Sequence, residues 1–463
     1  MQSTGTLRIA PDADAAIGEQ EMAVVSTALR QINSFRRLNR AALAIPRRVI
    51  WGVLDQSVIS VANFVTFLLL ARELSVANFG LFNLVYAGLL FSYSMQSSLI
   101  TQPHNVIGVA HQDDEYITYT TTCAFGQVFL SAGAASLVFV GALIAQAVEW
   151  DGNSLLWALG PAIFAWQLQE FGRRVLYTEG RLGAALANDI ISYCGQTVVV
   201  LLLWRLDRLT GPWALYVLAL TSAMAVVVGG WQIRRSLGWH VNITLLRKNW
   251  SFGKWLAGGE IGRWFSDQVY IYVAAVLLSP ASAGVLLAVH LFFGPLRVIS
   301  YFLNTVLPTW FTQSLTTQGK SALHEQLKST YRFVTPILAT YCLFIAIFAP
   351  PLLHLAYGSK YEDYALVLVL YALLSFINHL LAILTAALYA QRMTRPVFVG
   401  YLCASGVAVT TGWLLIGVLG TEGAVVGMMA TALISAIIYW RAYNRGDPVD
   451  RTAVGSTLTG TTG

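Results

Sequence analysis

Apolar runs of about 20 residues, separated by short polar connections, recur along most of this chain. A backbone surrounded by hydrocarbon has to satisfy its own hydrogen bonds, so each run is predicted to be a helix. Twelve runs are present, at 49–71, 80–101, 119–145, 154–171, 185–204, 212–233, 254–278, 283–310, 332–356, 364–390, 397–418 and 422–441. The pattern predicts an all-α, polytopic membrane protein with twelve transmembrane helices.

The distribution of charge orients these spans. With the N-terminus inside, 23 of the 29 Lys and Arg residues fall on the cytoplasmic side, against Arg72, Arg205, Arg208 and Lys360 outside. Both termini are therefore expected in the cytoplasm, at the inner (plasma) membrane. Residues 1–48 contain no apolar signal-peptide core and end in Arg36, Arg37, Arg40, Arg47 and Arg48, so this segment is expected to stay inside. Within it Val25, Leu29, Ile32, Phe35 and Leu38 recur at helical spacing among arginines, as in a basic amphipathic helix lying on anionic lipid. The tail at 442–463 is expected to be disordered.

Composition narrows the class. Hydrophobic residues make up 56% of the 463 and charged residues 11%, too few charges to coat a soluble protein of this size. The pI near 9.1 does not point to nucleic acid, because the basic residues are dispersed among connections instead of forming a stripe. Cys123, Cys194, Cys342 and Cys403 all lie in apolar runs without CxxC spacing, so neither a disulfide framework nor a metal site follows.

The chain repeats itself. Leu54-Asp55-Gln56-Ser57-Val58-Ile59 in span 1 matches Ser266-Asp267-Gln268-Val269-Tyr270-Ile271 in span 7, each with a tryptophan shortly before (Trp51, Trp264). Downstream of each, a short loop leads to a glycine at the head of the next span, Gly80 and Gly284. Two pseudo-symmetric six-helix bundles are expected, at 49–233 and 254–441, joined by a basic linker at 234–253 and enclosing a central cavity. Gly160-Pro161, Gly294-Pro295 and Pro336 predict bent spans, and Gly423 with Gly427 suits close packing of span 12.

Ionisable groups at bilayer depth are costly and so mark pathways or partners. Glu260, Arg263 and Asp267 stand at i, i+3 and i+7 on one face of span 7. Arg263 lies roughly 13 Å along the helix from Lys254, and Arg297 falls at a comparable depth on span 8. The two arginines could form a cationic site for phosphate or carboxylate groups; alternatively Glu260 and Asp267 neutralise Arg263 locally. Asp55 with Gln56 is either a coupling-ion carboxylate or a packing hydrogen bond near the inner interface. His290 and His379 are read as packing residues first and proton carriers second. Near the inner end of span 4, Gln169-Glu170-Phe171-Gly172-Arg173-Arg174, followed by Asn188-Asp189 on span 5, reads as positive-inside topology, or as an inner gate or headgroup contact at the cytoplasmic mouth, with Glu170 and Asp189 the gate candidates.

Several motifs are similar to those of the multidrug/oligosaccharidyl-lipid/polysaccharide (MOP) exporter superfamily, in its polysaccharide-biosynthesis flippase branch. They are Asp55-Gln56 with Asn63-Phe64, Ala71-Arg72 and Phe79-Gly80-Leu81-Phe82; Gln169-Glu170-Phe171-Gly172-Arg173-Arg174 with Asn188-Asp189; and Arg297 with Asn304-Thr305-Val306-Leu307-Pro308. The resemblance implies a non-enzymatic flippase that carries a lipid-linked, pyrophosphate-bearing oligosaccharide between leaflets by alternating access. It implies Arg263 and Arg297 as anion contacts, H⁺ or Na⁺ as coupling ion and no other cofactor. Membrane lipid, the lipid-linked oligosaccharide, a polysaccharide polymerase and other assembly proteins are the implied partners.

A multidrug or small-solute antiporter of the same superfamily would favour a carboxylate-lined cavity. A major-facilitator transporter would carry a basic, glycine-rich loop between spans 2 and 3, where this chain has Gln102-Pro103-His104-Asn105 through Asp113-Asp114-Glu115. A polytopic polymerase would need a large outer loop; the most polar one here, around Gly358 to Asp363, is short. No P-loop, HExxH or GxSxG pattern is present.

Overall fold

The computed structural model describes residues 47–108, 111, 113–296, 299, 300 and 302–445. The amphipathic segment, the C-terminal tail and Arg297 lie outside them. No strand occurs among the described residues. The chain divides into two units, Met1–Gln56 and Ser57–Gly463. The described part of the first is the opening of the helix Arg47–Glu73.

Among the described residues, eight helices are long and apolar enough to cross a membrane. Three of them contain more than one crossing, or a crossing and an added piece. Thr394–Arg445 has 52 residues, far beyond the roughly 20 a bilayer needs. Gly420, at φ 66° and ψ −141°, interrupts it and separates spans 11 and 12 at the connection the sequence predicts. Leu307–Ile347 is likewise interrupted at Gly319, with φ 83°, which divides the end of span 8 from span 9. Phe348 then separates it from Ala349–Tyr357, so span 9 ends earlier than the expected 356. The cause is Pro350-Pro351: proline is tolerated in the first helical turn but cannot extend a preceding helix.

Two further departures have local causes. Span 7 belongs to the helix Ile243–Leu277, which starts inside the stretch read as linker. Arg247, Lys248 and Lys254 lower the hydropathy there, but they are good helix formers, and the Asn242 side chain caps the first turn by accepting from the Thr244 amide at 3.1 Å. Span 8 is broken: Pro280–Leu291 is followed by a 3₁₀ turn, Gly294–Leu296, and a π turn, Phe302–Val306, so the Gly294-Pro295 break is where the sequence puts it. By contrast Pro161 and Pro336 lie inside uninterrupted stretches of helix, since one missing N–H leaves the rest of the ladder intact.

Large apolar side chains remain exposed along the spans, among them Leu137, Val227, Leu355 and Val418, each at least 75% accessible. In water such a surface would aggregate, and in a multi-pass membrane protein it faces lipid. Inside, spans 4, 5 and 6 pack together, span 3 joins span 4, and spans 9, 10, 11 and 12 pack with span 7, all contributing to one continuous apolar core. Small residues let backbones approach. A Cβ on Gly423 would fall 2.1 Å from the Leu415 carbonyl oxygen, and one on Gly427 2.2 Å from the buried Tyr270 ring. Gly427→Val should therefore lower stability by about 1–3 kcal/mol through overpacking, readable as a shift in thermal unfolding in detergent.

The repeated glycines meet each other. A Cβ on Gly80 would lie 1.7 Å from the Pro280 carbonyl oxygen, and one on Gly284 would lie 2.4 Å from the Val76 carbonyl oxygen. The contact is reciprocal, because Val76 stands to Gly80 as Pro280 stands to Gly284. Spans 2 and 8 thus touch backbone to backbone, on the face formed by the connections after odd-numbered spans. The Asn83 amide donates to the Ala283 carbonyl at 3.3 Å beside it. Farther along, the Tyr272 hydroxyl donates to Leu84 O at 3.2 Å, and Phe91 meets Trp264 edge-on. At the far end a Cβ on Gly253 would fall 2.5 Å from Ser98 O, so spans 2 and 7 meet again there.

Candidate functional site

The densest buried polar cluster among the described residues is built by spans 4, 5 and 6. Trp166, Gln169, Glu170 and Arg173 recur at i, i+3, i+4 and i+7, so one stripe of span 4 carries all four, and all four are buried. Span 5 answers with Asn188, Asp189, Ser192 and Tyr193, also buried. A π turn at Ile190–Cys194 interrupts this helix directly after Asp189. The extra residue in that turn sets the register in which Ser192 and Tyr193 reach span 4 alongside Asp189; π turns of this kind concentrate at functional positions.

Arg173 is the centre. Its Nε donates to Asp189 Oδ2 at 2.6 Å, and its Nη1 donates to both Glu170 oxygens, at 3.2 and 3.3 Å. Glu170 is 2% exposed, Arg173 5% and Asp189 0%, so the ion pairs are isolated from water. The Tyr193 hydroxyl donates to Glu170 Oε1 at 3.2 Å and accepts from the Trp166 indole at 3.1 Å. Gln169 donates to Asp189 at 3.4 Å and accepts from the Ser192 hydroxyl at 2.9 Å. The neighbouring Arg174 turns away and donates to the Tyr93 hydroxyl on span 2 at 3.1 Å.

Within this cluster two carboxylates share one guanidinium. Buried charge is stable only when it is paired, and here both carboxylates are held by the Arg173 guanidinium. The sequence singles out Glu170 and Asp189, and the structure brings them onto the same side chain. Arg173 lies in the run that the sequence reads as positive-inside topology or as an inner gate or headgroup contact. Its signal is the i+3 spacing from Glu170, which puts acid and base on one helical face, while Arg174 points elsewhere.

The other candidates are placed separately. Asp55 is buried near the start of span 1 and accepts a long bond from the adjacent Gln56 amide at 3.5 Å. Glu260 lies on the continuous helix Ile243–Leu277 together with positions 263 and 267; the side chains of Arg263 and Asp267, like all of Arg297, are outside the described residues. His290 Nδ1 pairs with the Tyr371 hydroxyl at 3.0 Å and His379 Nε2 with the Ser300 hydroxyl at 3.0 Å. Both histidines therefore tie span 8, on either side of its break, to span 10.

The fold has known counterparts. A family model described as polysaccharide biosynthesis protein matches residues 69–366. No curated protein matches the sequence. Among solved structures, the lipid II flippase MurJ in an inward closed conformation superposes with a TM-score of 0.67 at 13% identity, covering 86% of this chain and 87% of that one. An inward-facing multidrug resistance MATE family transporter of the MOP superfamily gives 0.67 at 12% identity over 84% and 94%. A MOP superfamily transporter from Pyrococcus furiosus gives 0.59 at 13% identity over 86% and 93%. The family match spans well over half of the 463 residues, so the chain, which has the fold of the MOP exporters, belongs to the polysaccharide biosynthesis protein family.

Proposed function

We propose that this protein flips a lipid-linked, pyrophosphate-bearing oligosaccharide from the cytoplasmic to the outer leaflet of the inner membrane for polysaccharide export. Both termini are then cytoplasmic, and the face after odd-numbered spans is the outer one. The observation that carries the reading is the conjunction of a polysaccharide biosynthesis family with a fold shared by a lipid II flippase. Physical chemistry agrees, since a charged, sugar-bearing headgroup cannot cross hydrocarbon unaided, whereas its polyprenyl tail can remain in lipid. Arg263 and Arg297, with Glu260 and Asp267, are the proposed headgroup contacts. The Glu170–Arg173–Asp189 cluster is the proposed coupling site for H⁺ or Na⁺, with Asp55 and Gln56 near the inner mouth. A polymerase and other assembly proteins take up the product.

The test is glycan analysis in a deletion strain. Complete, unpolymerised lipid-linked units should accumulate on the cytoplasmic leaflet while polymer disappears outside. Normal delivery to the outer leaflet without polymerisation would turn the reading toward a polymerase. Unchanged glycan would favour drug or solute efflux, the reading that the MATE-like fold supports equally well. Complementation with Arg263→Ala or Arg297→Ala should lower export by about tenfold, equivalent to roughly 1.4 kcal/mol of lost anion binding, at unchanged membrane insertion. Wild-type export by both variants would remove the cationic site.

A further inference from the structure

The outer ends of the two repeats are joined by more than the glycine contact. Span 1 ends at Glu73, and its last carbonyls have no helical partner. They are met by a side chain from the opposite repeat: Lys360 Nζ donates to the carbonyl oxygens of Arg72 at 2.9 Å, Glu73 at 3.4 Å and Leu74 at 3.4 Å. An ammonium has three donors, and three carbonyls converge on it at the negative end of a helix dipole. The loop that presents Lys360 is firmly seated. It is a 3₁₀ segment, Gly358–Tyr364, whose Tyr361 is fully buried against Tyr357 and Tyr364.

We propose that Lys360 is a latch that holds the outer gate shut, with the reciprocal Gly80–Gly284 contact as the seam it closes. The identification of this face as the outer gate rests on the transport reading; the latch itself rests on the contacts. Span 1 and the loop between spans 9 and 10 come from different repeats, so separating the repeats at this face breaks all three Lys360 bonds together with the span 2–span 8 contact. An exposed lysine on a helix C-terminus is a modest, salt-screened interaction, which suits a gate that has to reopen in every cycle. The glycines set the closed distance, because any Cβ at either position would strike the opposite backbone.

Spin labels at Asn78→Cys and Ala281→Cys, at the heads of spans 2 and 8 with the native cysteines replaced by alanine, report the separation of the seam in full-length protein in nanodiscs. Lys360→Met should raise the ratio of long to short distances by about 2- to 5-fold at low salt. Lys360→Arg should restore the original ratio. High salt should reproduce the Lys360→Met effect in the wild type and add little to the variant. Gly80→Val, which cannot close, should give the long distance in nearly every molecule. An unchanged distribution in Lys360→Met would overturn the latch, and a short distance persisting in Gly80→Val would overturn the seam. The readout is a distance, so a protein that gates in this way but moves no glycan would refute only the proposed cargo.

Discussion

Arg173→Met should be the most destabilising single substitution in the transmembrane region, by about 3–5 kcal/mol. The change removes the guanidinium that both Glu170 and Asp189 depend on and leaves two carboxylates facing each other among buried residues of spans 4 and 5. The cost arises from the carboxylates left behind, more than from the loss of attraction. The triple variant Glu170→Gln, Arg173→Met, Asp189→Asn, which removes every charge at similar volume, should therefore recover most of the loss. Thermal or denaturant unfolding in detergent, compared for single and triple variants, separates these contributions. Equal stability of Arg173→Met and wild type would mean that water reaches the cluster and that it is not a buried ionic network.

Much of the fold is legible in the sequence because a membrane imposes a simple rule: a helix must be long, apolar and internally hydrogen-bonded. That rule locates the spans, and the glycines at 423 and 427 locate close contacts, since nothing larger fits there. It fails at helix ends. Hydropathy stops span 7 at Lys254, but hydrogen bonding carries the helix back to Ile243, because a basic helix is stable outside the hydrocarbon. It also fails at the Pro350-Pro351 corner, where apolar composition continues although the helix cannot. The site is partly legible. Glu170 and Asp189 stand out as acids in apolar surroundings, but their common partner is hidden because Arg173 is one of a pair of adjacent arginines at a membrane boundary, where cations are expected anyway. Only the direction of the side chain distinguishes Arg173, which is buried, from Arg174, which reaches Tyr93. The reciprocal meeting of Gly80 with Gly284, and the reach of Lys360 across to Arg72, depend on how two distant repeats pack and leave no local mark.

Glu170→Gln should uncouple transport without dismantling the cluster. A glutamine keeps the length of the side chain and, in place of Oε1, an oxygen that can accept from Tyr193 at 3.2 Å and Arg173 at 3.3 Å; only the Arg173 contact to the second carboxylate oxygen is lost. The shorter bond, 2.6 Å from Arg173 to Asp189, is untouched and leaves a one-to-one ion pair. On the proposed coupling role, neutralising Glu170 removes one of the two carboxylates that would take up and release the cation in each cycle. One charge moved through about 100 mV supplies about 2.3 kcal/mol, enough to sustain a roughly 50-fold difference in cargo between leaflets. In proteoliposomes with an imposed gradient, the wild type should approach such an accumulation, and Glu170→Gln should relax toward equal distribution. Exchange of labelled for unlabelled cargo without a gradient should continue, because the proposed gate and headgroup contacts lie elsewhere. Gradient-driven accumulation by Glu170→Gln at the wild-type level would move the coupling site away from this cluster, with Asp55 the next carboxylate to replace.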